Sequence, residues 1–265
     1  PEMKRRSEII KTIIWYIEKY LPNPRHIEFQ IFADADGQTI HLGERECSAQ
    51  RRFQKVIEES PSPFLTAEQR GRMAEAAIRA ARAVAYRNAG TVEFIVAQNG
   101  DFFFMEINSR LQVEHPVTEM VTGLDLVRWQ IEIAAGKPLP LSQDAIRHQG
   151  HAIEVRLYAE DPDRQFMPGS GLIERWQMPE QTRQLRIDTG FRAGNRITVY
   201  YDPMLAKLIV HADDRPQALL AMQAALAQCQ IFGLPSNIGF LERLITHPIV
   251  QSGQIDTGYL DNHLE

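Results

Sequence analysis

Three oxygen-bearing side chains, Glu93, Glu106 and Asn108, are spaced to meet on one face of a β-hairpin. The segments 91–97 and 101–108 read as its strands, and Asn99-Gly100 between them is a strong two-residue turn signal. With those two residues as the turn, Glu93 stands directly opposite Glu106, and Asn108 points to the same face two residues on. Opposed Cβ atoms in such a pair lie about 4.5–5.5 Å apart, and like charges there repel. A divalent cation between them converts the repulsion into attraction. Hard oxygen donors of this kind suit Mg2+ or Mn2+, with phosphate supplying further oxygens. The bland alternative is a solvated hairpin face whose glutamates repel only weakly.

The next residues, Asn108-Ser109-Arg110-Leu111-Gln112-Val113-Glu114-His115-Pro116, place a guanidinium, an amide and a carboxylate on one loop after a strand end. Such loops often carry catalytic groups. Arg110 could hold an anion through a planar charge-assisted contact, and Glu114 could act as a base. Taken alone, a surface loop with ion pairs explains the same residues. His115 lies outside any HExxH pattern, so a hydrogen-bonded loop histidine is the simpler reading. The chain has no GxxxxGK[ST] phosphate loop, no GxGxxG fingerprint and no GxSxG elbow.

The elements that must position these groups are legible in outline. Residues 7–20 carry an apolar stripe at helical spacing, closed by Pro22 and Pro24. Ile27, Phe29 and Ile31 alternate as in a strand, and Asp36-Gly37 turns into a second strand around Ile40 and Leu42. Residues 44–59 read as polar and irregular. Thr66 and Gln69 form a capping-box pattern that opens an alanine-rich helix to about residue 87. A helix is expected over 124–135, and 137–150 is the best linker candidate, with Pro138, Pro140 and Gly150. Strands are expected at 151–159, 172–177, 183–188, 196–200 and 204–211, and helices at 216–229 and 237–246. Antiparallel strands with helices grouped beside them indicate an α+β fold.

Composition sets bounds. The 265 residues carry 34 acidic and 29 basic side chains, a net charge of −5 without the basic excess of a nucleic-acid binder. Cys47 and Cys229 lack CxxC spacing and build no disulfide framework, which fits a reducing cytoplasm. No apolar run reaches the roughly 18 residues of a membrane span.

Several motifs resemble the C-terminal half of biotin carboxylases. Arg25-His26-Ile27-Glu28-Phe29-Gln30, Gln50-Arg51-Arg52, Lys55-Val56-Ile57-Glu58-Glu59, Gly90-Thr91-Val92-Glu93-Phe94 and the run 105–119 are similar to the ATP-grasp core of that family. Gly150-His151-Ala152-Ile153-Glu154-Val155-Arg156 and Tyr201-Asp202-Pro203-Met204-Leu205-Ala206-Lys207-Leu208 resemble its C-terminal domain. The likeness runs from about Ile17 to Leu260. It implies an ATP-grasp-type antiparallel sheet with flanking helices over 16–140, continuing into a biotin carboxylase C-terminal α+β domain over 141–265. Residues 1–15 do not look like the family.

The resemblance also implies roles. Glu93, Glu106 and Asn108 would hold two Mg2+ or Mn2+ ions on the ATP phosphates. Glu114 would deprotonate bicarbonate for attack on the γ-phosphate, giving carboxyphosphate. Arg110 would stabilise the biotin enolate, and Arg156 would position biotin and the anionic intermediates. Lys55, Gln112 and the backbone of Val113 would line the bicarbonate site. Glu18, Lys19 and Leu21 would lie beside the adenine, with His26 and Gln50 at the ribose and nucleotide. The segments 155–162 and 166–171 look closest to methylcrotonoyl-CoA-type carboxylase subunits.

The implied partners are a biotin carboxyl carrier domain or protein, a carboxyltransferase subunit and, in the full-length form, a second copy. Neither nucleic acid nor membrane is among them. The implied compartment is the cytoplasm, or the mitochondrial matrix in a eukaryote. Two departures stand out. The family's N-terminal domain and glycine-rich lid have no counterpart before Glu18, so the chain alone is expected to show little or no turnover. Phe53 occupies the place where the family usually has a histidine. No Ala-Met-Lys-Met biotinylation motif occurs, so biotin would arrive from elsewhere. The rival readings are a non-catalytic fragment that keeps a nucleotide-binding or assembly surface, and another ATP-grasp carboxylate or carbamate ligase.

Overall fold

The computed structural model describes residues 19–263. The helix expected over 7–20 therefore lies almost entirely outside the described residues, as does Glu18. Eight strands form one sheet: β1 (Arg25–Ala33), β2 (Thr39–Arg51), β3 (Gln54–Ser60), β4 (Asn88–Val96), β5 (Phe102–Asn108), β6 (His151–Tyr158), β7 (Leu185–Thr189) and β8 (Met204–Ala212). Their order is β7-β8-β6-β3-β2-β1-β4-β5, with every neighbour antiparallel. With helices packed beside it, this is the expected α+β arrangement. The β3–β6 pairing carries the sheet from the first half of the chain into the second.

Strand β1 shows how the sheet positions a site. All nine of its residues are buried. Ile27, Phe29 and Ile31 face one side, where they join Val92, Phe94 and Val96 under α1 (Ala67–Ala83). His26, Glu28 and Gln30 alternate to the other side, which is buried but polar. Helix α1 begins at the expected capping box: Thr66 Oγ1 accepts from Gln69 N, and Gln69 Oε1 accepts from Thr66 N. Two helices, α2 (His115–Thr122) and α3 (Leu126–Ala134), follow the hairpin. In the second half, α4 (Arg215–Leu226) and α5 (Ile238–Thr246) enclose a separate apolar core with β6 and β8.

Four expectations need correction. The stretch 44–59 is not irregular; it is the end of β2, a tight turn and β3. Its polar side chains are buried against opposite charges, so no apolar alternation marks it. Arg52 and Phe53 make the turn with φ of 48° and 66°, a left-handed conformation that ordinarily favours Asn or Gly. Helix α2 was not expected, because Pro116 resembles a loop residue when in fact it occupies the first turn. The linker candidate is no free tether: Leu139 and Ile146 are buried beside Phe32 and Trp129, and Leu139 N donates to Asp34 Oδ2 at 3.0 Å.

The fourth correction concerns the hairpin. Ala97 N donates to Asp101 O at 2.8 Å and Gly100 N to Ala97 O at 2.9 Å, so three residues rather than two form the turn. That loop alone would bring Met105 opposite Glu93. A register shift between Glu93 and Phe94 inserts one residue into β5, and Glu106 becomes the partner of Glu93 after all.

Candidate nucleotide and anion site

Strand register lines up a row of charge across the polar face. Glu106 pairs with Glu93, Glu93 with Glu28, and Glu28 with Arg45, on β5, β4, β1 and β2. Three adjacent glutamates are tolerated only because other elements supply cations and donors. Arg45 Nε donates to Glu28 Oε1 at 2.6 Å, and Lys55 Nζ donates to Glu28 Oε2 at 2.6 Å. His26 Nε2 lies 3.1 Å from Glu93 Oε2, while Gln112 Nε2 donates to Glu93 Oε1 at 2.6 Å. Asn108 Nδ2 bridges the pair, donating to Glu93 Oε1 at 2.9 Å and to Glu106 Oε1 at 3.0 Å.

Glu114 sits at the end of this row, at the N-terminal boundary of α2. It is buried, and its two oxygens meet different cations. Lys55 Nζ donates to Oε1, and Arg156 Nη2 donates to Oε2 at 2.9 Å. Arg156 Nε in turn donates to Glu58 Oε1 at 2.6 Å. Arg110, by contrast, is exposed, and among the described residues its guanidinium hydrogen-bonds only to the Leu111 carbonyl beside it, at 3.4 Å.

The structure gathers His26, Gln50, Lys55, Glu93, Glu106, Asn108, Arg110, Gln112, Val113, Glu114 and Arg156 around one cleft of about 630 Å3. Lys19 and Leu21 line a neighbouring cleft of about 760 Å3 with Phe103 and Phe104. The two clefts share Ile95, Met105, Glu106 and Thr257, so the second continues the first along the hairpin. Phe53 projects at the rim of the first cleft, 94% exposed.

Sequence reasoning assigned no role to Arg45, the group that organises the site. Its side chain is completely buried and all its donors are used. Besides Glu28 it reaches Gln30 Oε1 (2.9 Å), Thr118 Oγ1 (3.0 Å), Thr91 Oγ1 (3.1 Å) and Gln112 Oε1 (3.1 Å). Gln112 is thereby oriented, its oxygen toward Arg45 and its nitrogen toward Glu93. The available signal was an arginine among Glu44, Glu46 and Gln50, in a segment too polar to read as a buried strand.

Ionisation follows from this packing. Burial pushes Glu28 up, but Lys55, Arg45 and His26 outweigh it and bring the carboxyl to about 2. Burial also pushes Glu93 up, and the His26 contact with the charge of Lys55 brings it to about 2. Burial pulls Lys55 down, yet the surrounding acidic groups hold it above the ordinary lysine range. Both folded carboxyl values lie below an unfolded value near 4.5. Their stabilisation is therefore complete above about pH 4.5 and lost as pH falls through about 2. Glu46, Glu58 and Glu154 are shifted upward by burial, so their contribution runs the other way, present in acid and lost as pH rises above about 4.5. Urea midpoints are expected to drop from pH 4.5 to pH 2, with a smaller drop in Glu93→Gln. A flat midpoint over that range contradicts the assignment.

The donor set fits a hard divalent cation. Two carboxylates converge from β4 and β5. The Asn108 amide that bridges them through its nitrogen would present its oxygen to a cation by an amide flip, the cation then relieving the hairpin's own repulsion. His26, Glu28 and Glu93 also lie within 4.8 Å of one another, but the Lys55 ammonium already serves that cluster.

Comparison with known proteins decides the lineage. Residues 7–142 match the family described as carbamoyl-phosphate synthase L chain, ATP binding domain, and residues 154–262 match the biotin carboxylase C-terminal domain. The chain belongs to the biotin carboxylase family. The second match carries the biotin carboxylase name and so favours that lineage over the carbamate-ligase rival. The methylcrotonoyl-CoA carboxylase subunit alpha of Dictyostelium discoideum is 51% identical over 94% of this chain and 36% of its own length. The biotin carboxylase of Halalkalibacterium halodurans is 48% identical over 99% of this chain and 58% of its own. The biotin carboxylase domain dimer of Hydrogenobacter thermophilus 2-oxoglutarate carboxylase, solved with MgADP, ADP and bicarbonate, superposes with a TM-score of 0.90. It is 46% identical, covering 93% of this chain and 54% of that one. The chain thus spans about a third to somewhat over half the length of these biotin carboxylase relatives.

Proposed function

We propose that the chain provides the nucleotide- and bicarbonate-binding core of a biotin carboxylase, acting in ATP-dependent carboxylation of carrier-bound biotin. The observation that carries this reading is Glu114, a carboxylate held between Lys55 and Arg156 in the same cleft as Glu93, Glu106 and Asn108. Glu93, Glu106 and Asn108 would hold Mg2+ or Mn2+, which spreads charge over the phosphate oxygens. Lys55, Gln112 and the backbone of Val113 hold bicarbonate beside Glu114. Glu114 takes the bicarbonate proton as a bicarbonate oxygen bonds to the γ-phosphorus and ADP leaves. The product, carboxyphosphate, breaks its C–O bond to give CO2 and phosphate. The released phosphate, held by Arg156, takes the ureido N–H proton of biotin as that nitrogen bonds to CO2. Arg110, exposed and without an acidic partner among the described residues, meets the ureido oxygen as negative charge develops there. Lys19 and Leu21, with Glu18 beside them in sequence, flank the base, and His26 and Gln50 the ribose.

Relatives named as mitochondrial α subunits support a methylcrotonoyl-CoA-type assembly with a biotin carrier and a carboxyltransferase partner. The dimer named for the 2-oxoglutarate carboxylase domain supports pairing with a second copy. No helix among the described residues is long and apolar enough to cross a membrane. The compartment we assign is the bacterial cytoplasm or the mitochondrial matrix.

The test is isotopic. ATP cleavage with 18O-bicarbonate and free biotin should release phosphate carrying one bicarbonate oxygen. Label per phosphate does not depend on rate, so slow turnover suffices. Glu114→Gln should slow the bicarbonate-stimulated cleavage by roughly 10²-fold or more, the usual share of a general base. Unlabelled phosphate, or cleavage indifferent to bicarbonate, contradicts the reading.

A further inference from the structure

Two cations stand side by side behind the Glu114 loop. Lys207 of β8 is the register partner of Arg156 of β6, so the two side chains share a face of the sheet. Directly opposed like charges repel, and both are buried. They take consecutive residues of one loop. Arg156 binds the Glu114 carboxylate, and Lys207 Nζ donates to the carbonyl oxygen of Val113.

The other neighbours of Lys207 make that contact informative. Asp188 Oδ2 lies at 3.4 Å and Glu154 Oε2 at 3.7 Å. Glu154 is completely buried, and neither of its carboxyl oxygens finds a hydrogen-bond partner among the described residues. A lysine placed only to neutralise Glu154 would close to hydrogen-bond distance, since an unbonded buried carboxyl is costly. Instead the ammonium reaches past it to a neutral backbone carbonyl between Gln112 and Glu114. Holding that carbonyl fixes the peptide plane joining Val113 to Glu114. His115 N and Val117 N then bond back to Gln112 O and Glu114 O, which continues the clamp into α2.

We propose that Lys207 is a positioning residue for bicarbonate capture. It fixes the 113–114 peptide so that the Glu114 carboxylate stays between Lys55 and Arg156. The proposal rests on the reading of Glu114 as the base given above. It bears first on bicarbonate, because Lys207 itself touches none of Glu93, Glu106 and Asn108 and reaches Glu93 only indirectly, through the Gln112 side chain.

Lys207→Met and Lys207→Arg are compared with the wild-type chain, and Lys207→Met/Glu154→Leu removes the buried carboxyl together with its cation should the single variant not fold. In bicarbonate-stimulated ATP cleavage, loss of the ammonium should raise KM for bicarbonate about tenfold or more. KM for MgATP should stay unchanged, and the arginine variant should recover part of the loss. Amide exchange over 112–117 needs no turnover. It should quicken about tenfold without the ammonium and return toward wild type with arginine, while the β4–β5 hairpin stays protected. KM values that rise together, or exchange and bicarbonate KM that both stay unchanged, overturn the proposal. A wild-type chain with no bicarbonate-stimulated cleavage contradicts the functional reading instead, and exchange alone then decides the role of Lys207.

Discussion

Arg45→Met is expected to cost the fold about 3–5 kcal/mol, the range for removing one partner of a buried ion pair. Methionine fills much of the same volume, so the loss is chiefly electrostatic. Glu28 would keep Lys55 but lose its 2.6 Å contact with Arg45 while remaining completely buried. Gln30 and Gln112 would each lose the donor that their amide oxygens accept from, while both side chains stay buried. Urea unfolding followed by circular dichroism measures the change. Arg45→Met/Glu28→Gln should recover part of it, because the orphaned charge goes with its partner. A single-variant cost below about 1 kcal/mol would show that the cluster does not depend on Arg45.

Apolar periodicity and turn chemistry made much of this molecule readable. The Thr66 capping box, the alternation of Ile27, Phe29 and Ile31 and the strands around 151–159 and 204–211 are local signals, and the chain follows them. The pairing of Glu93 with Glu106 was expected for an incomplete reason. A three-residue turn and a bulge in β5 offset one another, and bulges carry no clear mark in sequence. What resisted reading was the polar interior. Arg45, Glu58 and Glu59 look like surface residues until Glu28, Arg156 and Arg215 arrive from distant strands and a helix to pair with them. Such a face breaks the rule that buried strands are apolar, and it breaks it where the chemistry is. Lys207 escaped notice for the same reason, since its significance lies in a carbonyl 94 residues away along the chain.

The most direct test of the site is calorimetric titration of MgADP into the purified chain, beside Glu93→Ala/Glu106→Ala. The two carboxylates supply the charged ligands for a cation at the phosphates, while Asn108 alone offers only a neutral oxygen. Their removal should weaken MgADP binding at least a hundredfold, about 2.7 kcal/mol. ADP without metal should be weakened far less, because the variant removes no cation from its phosphates and costs the base and ribose contacts chiefly the His26–Glu93 hydrogen bond. Saturable MgADP binding by the wild-type chain that is lost in the double variant is the predicted result. No binding by the folded wild-type chain, or equal affinity in the variant, would contradict the account.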